Sequence, residues 1–268
     1  MRKILLPALI ILLTCASTIA QQLTLLKETN IANPVAVSAD RYGNIIVGDA
    51  KGNVHKYDST GVLLQTFSSP NTATISSIEA WPSLQILIFY RDIQQFSVLN
   101  RFLTPTLLSA PIHQEVAGFA RAATLGSQEN IWLFDDIELS LKKYNLATRK
   151  IDTNTPLSLI LGDSEYAVNF MREYQNNLYL NDRNSGILVF DNLGNYKKNL
   201  HFADLTYFSF FENELYFTKD NTIYLFNLYT LSERQIKLPV GASYKYSLFA
   251  GAKLFLFTHK AMRIYLVK

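Results

Sequence analysis

Six times along this 268-residue chain a polar residue leads into a short apolar run, then a polar turn, then a second run carrying one aromatic. The apolar runs open at Ile45, Ile86, Ile131, Leu178, Leu215 and Leu254, so successive steps are 41, 45, 47, 37 and 39 residues. The aromatics that follow are Tyr57, Phe96, Tyr144, Phe190, Phe226 and Tyr265. A period near forty built from strand-type units indicates a β-propeller, in which each repeat is one four-stranded blade. The apolar runs are continuous rather than alternating, as in Ile86-Leu87-Ile88-Phe89, Ile131-Trp132-Leu133-Phe134 and Leu254-Phe255-Leu256-Phe257. A strand that reads this way is covered on both faces. Blades sandwiched between neighbours meet that condition, whereas a two-sheet sandwich would give mostly alternating strands.

The two ends of the pattern complement each other. The sixth repeat stops at its third strand, Met262 to Lys268, and Gln22 to Glu28 precedes the first blade as an unassigned strand. Pairing the two completes the last blade and removes both exposed edges. The expectation is an all-β, six-bladed β-propeller over residues 21–268, closed by its first strand and monomeric because no edge is free. The stretches Arg101 to Gln114 and Ala147 to Ser164 carry Pro residues and read as loops.

Residues 1–20 are a different kind of text. Arg2 and Lys3 precede an uncharged, Leu- and Ile-rich run, and Thr18 and Ala20 are small residues suited to a cleavage site. This reads as a signal peptide and implies export to the periplasm or cell envelope. Leu12-Leu13-Thr14-Cys15 also approaches a lipoprotein cleavage box; use of Cys15 would put the protein on the outer membrane. Cys15 is the one cysteine of the sequence, so residues 21–268 can form neither disulfide nor thiolate metal site. Setting Arg2 and Lys3 aside, 25 − 2 leaves 23 basic residues against 22 acidic ones. Runs of Lys or Arg never exceed a pair, as at Lys142-Lys143 and Lys197-Lys198. Nucleic-acid binding needs a concentrated positive face, so that class is set aside.

The first blade carries the most motif. Pro34-Val35-Ala36-Val37, Gly43 to Asp49, and Val54-His55-Lys56-Tyr57-Asp58-Ser59-Thr60-Gly61 resemble the NHL-type repeat, and Leu178 to Asp182 with Val189 to Gly194 echo it in the fourth blade. The chain is thus similar to six-bladed propellers of the NHL and TolB-like kind. That resemblance implies the fold and leaves function open, because propellers host binders, scaffolds and hydrolases.

Two residue sets fall where propellers bind. Asp49, Arg91, Asp136, Asp182, Asp220 and His259 stand at or just after the end of each second strand. They are expected either as turn formers, for which Asp is suited, or as a polar binding rim. Asn33, Asn71, Glu115, Glu165, Asp204 and Lys245 precede or open the inner strands. Their carboxylates and amides could converge on the channel mouth and hold Ca2+, a hard cation wanting six or more oxygens. Six-bladed lactonases use such an arrangement, in which the metal polarises a substrate carbonyl. The four histidines (His55, His113, His201, His259) lie in different repeats without zinc-site spacing. No Gly-x-Ser-x-Gly elbow and no glycine-rich phosphate loop are present. Phe119, Phe170, Tyr207, Phe208, Phe210, Phe211, Tyr244 and Tyr246 lie on or beside inner strands, where large rings would pack blade against blade or, at the rim, anchor a protein or glycan. The expected role is that of a cofactor-free binding or scaffold protein with an envelope protein partner. The alternative expectation is a calcium-dependent hydrolase.

Overall fold

The computed structural model describes residues 22–267 apart from positions 32, 71, 82–83, 128–129 and 162–164. The expected signal peptide, Cys15 and Asn71 lie outside the described residues. Strand β1 (Leu23–Asn30) comes first. Blade 1 holds β2 (Pro34–Ala39), β3 (Ile45–Asp49), β4 (Val54–Tyr57) and β5 (Leu63–Phe67); blade 2 holds β6 (Ser77–Glu79), β7 (Gln85–Tyr90), β8 (Gln95–Asn100) and β9 (Pro105–Pro111). Blade 3 holds β10 (Ala120–Leu125), β11 (Asn130–Asp135), β12 (Ser140–Asn145) and β13 (Lys150–Pro156); blade 4 holds β14 (Val168–Tyr174), β15 (Asn177–Asp182), β16 (Gly186–Asp191) and β17 (Tyr196–Leu200). Blade 5 holds β18 (Ser209–Phe211), β19 (Glu214–Lys219), β20 (Thr222–Asn227) and β21 (Glu233–Lys237). Blade 6 takes β22 (Tyr246–Ala250), β23 (Lys253–Phe257) and β24 (Ala261–Val267), and β1 is its fourth strand. The chain is a six-bladed β-propeller.

Closure is antiparallel, running from Leu23 opposite Val267 to Asn30 opposite Ala261, with a bulge between Leu25 and Lys27. The ring is therefore sealed by main-chain hydrogen bonds between the two ends of the described chain. The apolar second strands fill the spaces between blades. Ile46, Val54, Ile78, Ile86 and Ile88 bury the boundary of blades 1 and 2. Val37, Ile45, Phe255, Phe257 and Met262 bury the boundary of blades 6 and 1. Alternate residues of one strand thus serve opposite neighbours, which is why the runs are apolar at every position.

The stretches expected as loops each contain a strand, β9 and β13. Both are outermost strands, largely exposed, and their prolines sit at the first or last position. An edge strand tolerates Pro there because the free side of the ladder needs no donor. Polarity and Pro therefore marked an edge rather than a break.

One turn design repeats. Asp40, Asp49, Asp58 and Asp191 each begin a turn whose fourth residue is Gly43, Gly52, Gly61 or Gly194, with φ of 80, 88, 75 and 87°. The glycine N–H bonds the aspartate carbonyl at 3.0 to 3.2 Å. The Asp40 carboxylate accepts from Tyr42 N, Asn44 N and Asn44 Nδ2, and that of Asp191 from Leu193 N, Asn195 N and Asn195 Nδ2. Glycine is required because φ is positive, and aspartate because its oxygens satisfy two turn amides.

Antiparallel order gives the ring two faces. Turns between first and second strands, and between third and fourth, lie on one side, here the turn face. Turns between second and third strands share the other side, the loop face, with the connections between blades.

Candidate functional site

Inner strands present few charges, and two of them meet at the axis. Glu79 ends β6 in blade 2 and Arg172 lies in β14 of blade 4; both are buried. Arg172 Nε donates to both oxygens of Glu79 at 3.0 and 2.9 Å, and Nη2 adds a bond of 2.6 Å. Nη1 reaches Ser209 Oγ of blade 5 at 2.8 Å and Tyr207 Oη at 3.4 Å. The guanidinium also lies over Phe170 and Tyr207, 5.2 and 5.4 Å from their centroids. Tyr207 packs edge-on against Tyr246 of blade 6, whose hydroxyl donates to Val35 O of blade 1 at 2.5 Å. Burial pushes the Glu79 carboxyl up, with the Arg172 charge opposing it; burial likewise works against the Arg172 cation, but Glu79 and Tyr207 outweigh it and raise Arg172. Five blades thus meet in one plug across the channel.

The plug leaves a shallow recess at either end. On the loop face a cavity of about 60 Å³ is floored by Phe170, Tyr207 and Tyr246. On the turn face one of about 20 Å³ is bounded by Trp81, Tyr174 and Phe249. Several of the inner-strand aromatics picked out in the sequence belong to this plug or to the packing around it, as the stacked Tyr174–Phe210 pair shows at 4.2 Å.

The first set of six polar residues takes up turn positions on the loop face. Asp49 accepts from Lys51 N at 2.8 Å, Asn53 N at 2.9 Å and Asn53 Nδ2 at 2.8 Å. Burial would raise its pKa, but those donors outweigh it and hold the carboxyl below its usual value. Asp182 accepts from Ala167 N at 2.6 Å and from Ser185 N and Oγ at 3.1 and 2.5 Å. Asp136 is gripped by Arg121 through two hydrogen bonds. Asp220 and Asn221, with φ of 49 and 56°, form a tight two-residue hairpin turn. Arg91 opens a single 3-10 turn, its N–H bonded to Ser76 Oγ at 3.1 Å. His259 Nδ1 lies 3.3 Å from Asn33 Oδ1.

The described members of the second set share that face, and most pair off with neighbours rather than with one another. Asp204 is bound by Arg183 Nη2 at 2.6 Å, and Lys245 Nζ donates to Pro34 O at 3.2 Å. Glu165 offers its backbone carbonyl to Asn184 Nδ2 at 2.8 Å, and Glu115 is exposed in the turn after β9. Among the described residues, no three His, Cys, Asp or Glu side chains come together as a metal would need.

Sequence reading missed the Glu79–Arg172 pair. The available signal was a charge inside an otherwise apolar inner strand, as in Ser77-Ile78-Glu79-Ala80 and Phe170-Met171-Arg172. It also missed the turn face. Five aromatic rings are exposed among the described residues: Tyr42, Trp81, Phe102, Tyr196 and Tyr229. Tyr42 and Trp81 lie in first turns of their blades, Phe102 and Tyr229 in third turns, and Tyr196 opens β17. All five are therefore on the turn face or at its margin.

No family model matches the chain, and no curated protein matches it in sequence. Solved structures do match in shape. The WD40 domain of Neurospora crassa Pan2 superposes with a TM-score of 0.65 at 9% identity, covering 91% of this chain and 95% of that one. A catalytically inactive virginiamycin B lyase from Staphylococcus aureus, solved with quinupristin, gives 0.65 at 11% identity, covering 92% and 100%. A streptogramin B lyase gives 0.63 at 14% identity, covering 90% and 97%. The likeness is one of fold. One of these proteins is a WD40 domain and two are lyases, so shape alone does not carry an activity.

Proposed function

We propose that this propeller is a non-catalytic binding protein of the cell envelope that holds another protein against its turn face. The observation that carries the reading is that Tyr42, Trp81, Phe102 and Tyr229 are all exposed on that face, at 59, 44, 56 and 69% exposure. Tyr and Trp on a rigid surface are favoured anchors for partners because they bury large area at little entropic cost. The closed channel supports the same reading. A deep site on the axis would need the space occupied by Arg172, Glu79 and Tyr207. The loop-face carboxylates with the most donors, Asp49 and Asp182, are already saturated by their own turns. Export to the envelope rests on the character of residues 1–20.

The test is cross-linked copurification from native envelope extract, with and without chelator. Wild type is compared with a Trp81→Ser/Tyr229→Ser variant and a loop-face control, Leu159→Ser, at an exposed position of the short helix Ser158–Leu161 that connects blades 3 and 4. One stoichiometric partner is expected, retained in chelator, lost from the turn-face variant and kept by the control. A melting temperature that falls on chelation, with no partner recovered, would overturn the reading in favour of a calcium-dependent hydrolase.

A further inference from the structure

Between blades 1 and 2 the turn face opens into a groove of about 410 Å³ lined by Tyr42, Asn44, Lys56, Leu64, Gln65, Arg101 and Phe102. Two arginine–aromatic pairs of one arrangement stand here: Arg101 and Phe102 line the groove itself, while Arg41 flanks the lining Tyr42 on an adjoining recess that also reaches Arg101. The Arg41 guanidinium lies 5.8 Å from the Tyr42 ring centroid, and that of Arg101 lies 4.6 Å from the Phe102 centroid. Both rings are exposed, at 59 and 56%, and Leu64 is exposed between them at 49%. Neither guanidinium forms an ion pair among the described residues. The acidic group of this corner, Asp40, is buried and turned inward.

The two pairs are fixed relative to each other from below. Lys56 Nζ, itself buried, lies 3.2 Å from Asp40 Oδ2 and donates to Arg101 O at 2.7 Å. Asp40 in turn anchors the Tyr42 turn through Tyr42 N and Asn44 N, both at 2.9 Å. Asn100 Oδ1 holds the Phe102 turn the same way, accepting from Phe102 N at 2.9 Å and Thr104 N at 3.0 Å. One buried ammonium thus ties both arginine–aromatic pairs into a rigid frame, which lowers the ordering cost of binding.

We propose that this groove receives an acidic segment of a partner protein, with carboxylates on Arg41 and Arg101 and an apolar side chain between Tyr42, Leu64 and Phe102. The charge balance selects this occupant. Two cations with no carboxylate of their own face outward, and a guanidinium pairs with a carboxylate in a fork that a point charge cannot match. The rings supply apolar area beside each charge, so an acidic segment lacking apolar side chains would bind less well. The inference rests on the turn-face reading above and narrows it to one corner.

The test uses purified protein and fluorescein-labelled short peptides that alternate Glu or Asp with Leu or Phe, read by fluorescence anisotropy. Matched panels carry Gln or Asn, or Lys, at the acidic positions, and anionic phospholipid vesicles form a further arm. Saturable binding is expected for the acidic panel, weakened by about tenfold or more in Arg41→Glu/Arg101→Glu and by raised salt. Tyr42→Ala/Phe102→Ala is expected to weaken it without altering its salt dependence, and thermal unfolding checks that both variants fold. Equal binding of the amide panel, indifference to the charge reversal, or binding to vesicles alone would overturn the proposal. If the envelope partner is still captured by Arg41→Glu/Arg101→Glu, this corner is excluded while the turn-face reading stands.

Discussion

At the scale of single residues, the Glu79–Arg172 pair shows why burying charge is costly and still workable. Each ion loses its hydration, and the pair is sustained by three mutual hydrogen bonds with further contacts to Ser209 and Tyr207. Removing one partner leaves the other charge stranded on the axis. Glu79→Gln should therefore destabilise the fold by about 3–5 kcal/mol, measured as a lowered denaturant midpoint. Glu79→Leu combined with Arg172→Met should cost less than the single change, because no unpaired ion remains. A single variant as stable as wild type would mean that water reaches the pair. Gly186 is a second residue under strict constraint. Its φ is 116°, and a Cβ there would lie 2.3 Å from the Leu200 carbonyl, so the close approach of β16 and β17 excludes a side chain.

At the scale of elements, the aspartate turns explain both a repeated motif and a response to pH. Burial pushes the carboxyls of Asp49, Asp58 and Asp191 up, but the turn amides and side-chain donors around them prevail and hold all three below the ordinary value. A carboxyl with a lower pKa folded than unfolded stabilises the fold fully above the unfolded value, near about 3.9. That contribution is lost as pH falls through the lowered folded values. Melting temperature should therefore change little from neutrality to about pH 5 and then drop steeply below about pH 4. Asp58→Asn, which keeps the shape but removes the titration, should flatten part of that drop in a pH series of thermal melts. The turns were legible because Asp and Gly recur at fixed offsets. The outermost strands were not, since a half-exposed strand with Pro at its ends resembles a loop until its neighbour is placed beside it. Lys56 and Lys143 form a related case. Each lies in a third strand and donates to a carbonyl in the next blade, Arg101 O at 2.7 Å and Asn192 O at 3.1 Å.

At the scale of the whole molecule, closure is the decisive contact. β1 contributes all of the fourth strand of blade 6, so without it β24 would present a bare edge. Gly61 shows how tightly the closing strand also meets blade 1: a Cβ there would lie 2.8 Å from Thr29 Oγ1 and 2.9 Å from Ile264 Cδ1. Deleting residues 22–30 should abolish the single cooperative melt and give oligomers by edge pairing, read by calorimetry and light scattering. A monomer that still melts cooperatively near the wild-type temperature would show that the ring holds without its clasp.

The sequence by itself determined the blade count, the clasp and the turn chemistry. Each is local or periodic: strands covered on both faces are apolar at every position, and the turns begun by Asp40, Asp49, Asp58 and Asp191 carry Gly at their positive-φ fourth position. What only the tertiary structure decided is which residues from distant blades meet. Glu79 and Arg172 lie 93 residues apart, and the exposed aromatics of the turn face come from blades 1, 2, 4 and 5. The same holds for the loop-face polar residues, which have the right chemistry for a converging site yet pair off within their own neighbourhoods. Convergence depends on loop length and strand tilt, and neither is written in residue type.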